Sequence, residues 1–169
     1  MFRSRRPGRP RRTGLRGSLA VLALLAPALL GAAPGGSGET ISLAGNLPGE
    51  RLDVTLTQVV DPASPASGTG PDRLVATRLR LENTGTAVYA DSPAAAAHLL
   101  DATGRRFTGL DLPTTAGPGF PATVTLDPGT TAEGFVTFRL PAGAEPAAVQ
   151  FALDGGLADD VGQWSLSPQ

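Results

Sequence analysis

The sequence predicts an all-β domain, an antiparallel sandwich or barrel of about seven to nine strands, behind an N-terminal export leader. Three observations carry this expectation. Short segments alternate apolar and polar residues with a period of two. Turns rich in Pro, Gly, Asn and Asp punctuate them. No convincing amphipathic helix interrupts them after residue 40.

The leader comes first. Residues 1–16 hold seven arginines and no acid. An apolar run from Leu19 to Leu30 follows, and then the small residues Gly31, Ala32 and Ala33. Positive, apolar, small is the order of a signal peptide. Two cut positions compete, one near Ala33, which is preferred, and one at Ala26-Pro27-Ala28. The expected plan is a signal peptide over 1–33, a flexible Pro-Gly-Gly-Ser-Gly linker over 34–39, and one β-sandwich domain over 40–169. A retained anchor is the competing reading, because residues 17–38 carry no charge and reach the ~20 residues a bilayer requires. Pro27 and the glycines dilute its apolar part. The pairs Arg5-Arg6 and Arg11-Arg12 also raise the twin-arginine export route, which the residues after Arg12 fit only partly. With no cysteine in the chain, lipidation on cysteine is excluded.

Removing the leader changes the charge. Seven arginines then face fifteen acids, a net charge of −8, which disfavours nucleic acid and anionic membrane as partners. The remaining roughly 136 residues suffice for one domain that buries about two-thirds of its unfolded surface. Disulfides are not required.

Element by element, residues 40–43 read as a short strand. Residues 51–60 read as a long one, with Leu52, Val54 and Leu56 facing a core and Asp53, Thr55 and Thr57 facing water. Residues 61–72 are dense in strand breakers and are expected to form a loop rather than part of either neighbouring strand. In the next strand, 74–81, Val75, Leu79 and Leu81 oppose Arg78, Arg80 and Glu82. Asn83-Thr84-Gly85 ends it as a turn, with Gly85 suited to a positive φ. Val88-Tyr89 reads as a brief strand and Ala94 to Ala97 as weakly helical. His98 to Phe107 reads as a hairpin around the Asp101 to Gly104 turn. Residues 110–121 form a second long loop. Residues 123–126 and 134–140 flank the turn Asp127-Pro128-Gly129, with Val136, Phe138 and Leu140 inward, and residues 148–153 and 163–166 complete the set.

The succession RLDVTLTQV at 51–59, LRLENTG at 79–85, LLDATGRRF at 99–107 and LDPGTTAEGFVTFRLP at 126–141 resembles a bacterial secreted family of unknown function. That family is similar to the immunoprotective extracellular protein family and has a telokin-like fold. The resemblance spans roughly residues 40–166 and implies an immunoglobulin-like antiparallel β-sandwich. Many of its members are lipoproteins, from which this chain departs by lacking the cysteine. The resemblance brings no catalytic residues.

Chemistry finds little purchase in the chain. His98 is the sole histidine, beside Leu99 and Leu100, and reads as a surface or locally satisfied strand residue rather than a base. No G-x-S-x-G elbow exists, and no lysine or cysteine offers a nucleophile. One histidine, no cysteine and only Met1 do not make a zinc or copper site. Calcium at Asp154, Asp159 and Asp160 stays open against a plain acidic loop, because hard oxygens flank Gly155-Gly156 without EF-hand spacing. Phe107, Phe138, Phe151 and Trp164 read as core. Phe135 falls by parity on the opposite face, and with Phe120 it would make a small exposed apolar patch.

No catalytic, cofactor or metal residue is therefore assigned. The expected function is a secreted, non-enzymatic module that binds a protein or cell-surface partner through the loops 61–72 and 110–121. The alternatives are a structural cell-envelope protein without a specific ligand, and an acid/base enzyme built on a carboxylate pair.

Overall fold

A computed structural model describes residues 34–36, 38–68, 70 and 72–166. The expected signal peptide lies outside the described residues. The first strand, β1, is Pro34–Gly36, inside the stretch expected as linker. It pairs in parallel with the last strand, so backbone hydrogen bonding draws part of that stretch into a sheet.

Strands β2 (Thr40–Ala44), β3 (Arg51–Ala63), β4 (Arg73–Asn83) and β9 (Thr131–Leu140) form a four-stranded antiparallel sheet in the order β2-β3-β4-β9. A second sheet runs β1-β11-β10-β6-β7, with β6 Ala97–Asp101, β7 Arg106–Thr108, β10 Pro146–Phe151 and β11 Gly162–Ser165. The short pair β5 (Tyr89–Asp91) and β8 (Val124–Leu126) makes a third. Two four-residue helical turns complete the fold, α1 (Pro93–Ala96) and α2 (Leu153–Gly156). The architecture is the expected antiparallel β-sandwich.

Alternation builds the core. The inward sets Leu52, Val54, Leu56 on β3, Val75, Leu79, Leu81 on β4 and Val136, Phe138, Leu140 on β9 are all essentially inaccessible. From the other sheet, Leu99, Val149, Phe151 and Trp164 meet them. Large aromatic side chains contribute most to such a core. Trp164 keeps its polar edge satisfied, its indole N–H donating to the Glu39 carbonyl at 2.8 Å.

Two expectations are corrected. Strand β3 does not stop at Asp61 but runs through Pro62 to Ala63, with register shifts after Leu56 and after Val60. Pro62 falls within the second register shift, between Val60 and Ala63, an irregularity of the ladder at which a proline is tolerated. At the 83–85 turn, Gly85 does not have a positive φ. It is needed for close approach instead: a Cβ there would lie 2.2 Å from the Gly49 carbonyl oxygen. Asn83 organises this turn. Its buried amide donates to the Ala87 and Leu126 carbonyls, both at 2.8 Å, and its Oδ1 accepts from Gly85 N–H at 3.0 Å. The Asp127 to Gly129 turn closes against the same residue, with Gly129 N–H donating to the Asn83 carbonyl and Gly129 at φ 80.

Candidate binding surface

The two long loops are joined. Ala66 N–H donates to the Pro113 carbonyl at 3.0 Å and Thr115 N–H to the Ser64 carbonyl at 2.9 Å. The loop over 110–121 reaches this point by lying along the free edge of β9. Leu110 N–H donates to the Thr137 carbonyl, Phe135 N–H to the Pro118 carbonyl and Phe120 N–H to the Phe135 carbonyl. The Thr137 hydroxyl adds a bond to the Leu112 carbonyl at 2.8 Å. A polar-looking segment is thereby fixed to the sheet by its backbone.

This lining rules out the small patch that an exposed Phe135 would make with Phe120. Parity does place Phe135 on the outer face of the four-stranded sheet, but the side chain is only 8% exposed. It packs with Ala63, Leu74 and Ala76, covered by Leu112 and Ala116 of the loop. Phe120 is equally buried and lies over Gly134, where a Cβ would meet its ring at 2.9 Å. What remains open between them is a cavity of about 180 Å³.

A larger groove of about 720 Å³ lies where the loops meet, walled by Pro62, Pro65, Leu74, Arg139 and Ala142 and by the serines of the 61–72 segment. Arg73 stands at its side, gripping the buried Asp61 carboxylate through two nitrogens, with Nε to Oδ1 at 2.6 Å. The same guanidinium donates to the Ala144 carbonyl at 3.2 Å and so ties β4 to the turn after β9. Arg139 lies 3.7 Å from Asp72. A bidentate, partly buried arginine–carboxylate pair fixes geometry as well as charge, so this wall of the groove is preformed.

Beside that end, the Asp101 turn is equally well held. The carboxylate accepts from the Thr103 hydroxyl at 2.7 Å, from Thr103 and Arg105 N–H at 2.9 Å each, and from Arg105 Nε at 2.7 Å. These bonds, the Thr103 hydroxyl foremost, hold its pKa down at about 2.

The residues weighed for chemistry do not converge. His98 faces away from the main core but is covered by the turn after Leu153, where a Cβ on Gly156 would sit 2.7 Å from its ring. Burial, then the charge of Arg106, lowers its pKa, so the ring stays neutral at neutral pH. Asp154, Asp159 and Asp160 hold the hairpin between β2 and β3: Asp154 accepts from Asn46 N–H at 3.0 Å, Asp160 from Ala44 N–H at 2.9 Å, and Asp159 N–H donates to Asn46 Oδ1 at 3.4 Å. Asp154 sits in the left-handed region at φ 57, where aspartate is among the few tolerant side chains. Among the described residues no three His, Cys, Asp or Glu side chains are grouped to hold a metal ion. Tyr89, read from sequence as part of a brief strand, is buried with a hydroxyl that finds no hydrogen-bond partner among the described residues. Burial, then Asp91 and Asp154, pushes its pKa up.

No family model and no curated protein sequence matches the chain. Solved structures do. The secreted protein MPT63 from Mycobacterium tuberculosis superposes with a TM-score of 0.57 at 15% identity, over 81% of this chain and 99% of that one. The yjhA protein from Bacillus subtilis gives 0.55 at 16% identity, over 79% and 99% respectively. A putative lipoprotein, ycdA, from Bacillus subtilis gives 0.56 at 10% identity, with 76% of this chain covering 38% of that longer one. The resemblance to secreted bacterial sandwiches therefore holds at the level of the fold. No helix among the described residues is long and apolar enough to cross a membrane.

Proposed function

We propose that the protein is an exported, non-enzymatic β-sandwich module that binds a protein or cell-surface partner across the groove where its two long loops join. The observation that carries this reading is the groove itself. It is open, it is walled by prolines and small residues, and Arg73 and Arg139 stand at its side in positions set by ion pairs. Rigid walls reduce the ordering cost that binding must overcome. A general acid and base would require two free carboxylates converging on one point. The acids beside this groove are instead each turned to an arginine, Asp61 to Arg73 and Asp72 to Arg139. Export rests on the arginine-rich, apolar leader, and the acidic balance of the remaining chain favours a partner other than nucleic acid or anionic membrane.

The test is binding of labelled protein to intact bacterial cells, comparing the wild-type chain with Ala142→Trp. Ala142 is exposed on the groove wall, so the indole fills the groove without disturbing the core. Binding should fall at least tenfold; cell binding unchanged by a filled groove would overturn the reading.

A further inference from the structure

Among the described residues, large apolar side chains left in water are few: Leu47, Val88, Leu110 and Leu157. Three of them lie at the end of the sandwich opposite the groove. Leu47, 64% exposed, caps the hairpin between β2 and β3. One flank of that hairpin is bonded to the 154–160 segment through Asn46 and Ala44, and there Leu157 is 80% exposed. The other flank is bonded to the 84–88 segment, since Thr86 and Ala87 N–H both donate to the Gly49 carbonyl, at 2.9 and 3.1 Å. Val88 follows at once and is 51% exposed. Three separate segments thus present one apolar residue each on a shared, hydrogen-bonded platform. Apolar side chains scattered singly require no explanation, but a group of them at one rigid site does.

The charge of the described residues around this trio is predominantly negative. Glu50, Asp91, Asp127, Asp154, Asp159 and Asp160 belong to the same hairpin, turns and strand ends, against Arg51 among the described residues. The arginine salt bridges of the described residues reach none of these acids. Their carboxylates bond to backbone N–H groups where they bond at all, which leaves the negative charge in place: Leu47 N–H to Glu50, Asn46 N–H to Asp154, Ala44 N–H to Asp160, Ser92 and Gly155 N–H to Asp91.

We infer that this end is a second docking surface, for a cationic protein segment carrying leucine-like side chains among its arginines or lysines. A second copy of the chain would oppose acid to acid. An anionic bilayer would be repelled in the same way. A basic, apolar segment satisfies both the exposed leucines and the unmatched carboxylates, and charge of opposite sign speeds its encounter.

The test uses the full chain and a fluorescent synthetic peptide of alternating leucine and arginine, read by anisotropy at low and at physiological salt. A serine–arginine peptide controls for charge alone and a leucine–glutamate peptide for apolarity alone. The leucine–arginine peptide should bind at least tenfold more tightly than either control. The double variant L47S/L157S should lose at least tenfold of that binding with an unchanged melting curve, because both side chains already face water. Ala142→Trp, at the opposite end, should bind the peptide as the wild type does, which separates this surface from the groove. Equal binding of the serine–arginine peptide would reduce the effect to bulk attraction and overturn the inference. So would unchanged affinity of L47S/L157S, or concentration-dependent dimerisation abolished by that variant.

Discussion

The two ends of the sandwich handle charge in opposite ways. At the groove end, carboxylates meet guanidinium groups: Asp61 with Arg73, Asp72 with Arg139, Asp101 with Arg105. At the hairpin end, carboxylates meet backbone amides. Both arrangements satisfy the acid, but only the first neutralises it. A protein can therefore fix its turns equally well at both ends while keeping a negative potential at only one. The lesson is that hydrogen-bond satisfaction and charge balance are separate quantities, and the second is what a partner senses at a distance.

Substitutions can break this comparison, and the largest effect should fall at the hairpin end. Asn83→Ala removes three bonds made by one buried amide and takes the amide donor from the Ala87 and Leu126 carbonyls, while the Gly85 N–H keeps its bond to the Arg51 carbonyl at 3.1 Å. A loss of about 3 kcal/mol is expected, measured by urea unfolding. At the groove end, Arg73→Met leaves the Asp61 carboxylate, 7% exposed, without its partner. The guanidinium is itself 28% exposed, so the effect of breaking a buried pair is moderated to about 2 kcal/mol. The Arg73→Met variant should also lose the attachment of the turn after β9, visible as faster amide exchange around Ala144.

Asp101→Asn sharpens the contrast by pH rather than by magnitude. The folded-state pKa of Asp101, about 2, lies below the ordinary value of 3.8. Its contribution is therefore complete above roughly pH 4 and is lost as the pH falls through about 2. The wild type should show an acid limb in its melting temperature over that window. The Asn variant should melt lower at neutral pH and show a flatter limb. The smallest effect belongs to Asp159→Asn at the hairpin end. Its backbone N–H makes the bond to Asn46, whereas its side chain makes no hydrogen bond among the described residues. Stability should change by no more than about 0.5 kcal/mol, while affinity for a cationic leucine peptide should decline measurably.

Much of this architecture was legible in residue order. The inward sets on β3, β4 and β9 follow from a period of two, because a buried face on each strand leaves no other solution. The turns at 101–104 and 127–129 were legible too, since Gly104 and Gly129 do adopt positive φ. Ala94 to Ala97 was read as weakly helical, and the structure places one turn at Pro93–Ala96, capped by the Ser92 side chain. The burial of Phe135 was not legible, because parity reports which side of its own sheet a residue takes and says nothing of a loop laid over that side. Gly85 was assigned the right place for the wrong reason, since its role depends on Gly49, 36 positions away. Asp61 and Pro62 read as loop in the sequence because composition cannot reveal a register shift that lets β3 go on pairing β4 as far as Ala63. The junction of the two long loops rests on backbone bonds between residues of no distinctive chemistry, such as Ser64 and Thr115, so no local pattern could announce it.

The segment over 110–121 has one further consequence. By bonding to β9 through Leu110, Pro118 and Phe120, it occupies backbone groups that would otherwise be free to template a strand from another molecule. Left unguarded, such an edge would favour aggregation through sheet extension. The covering loop thus closes this side of β9 to sheet extension.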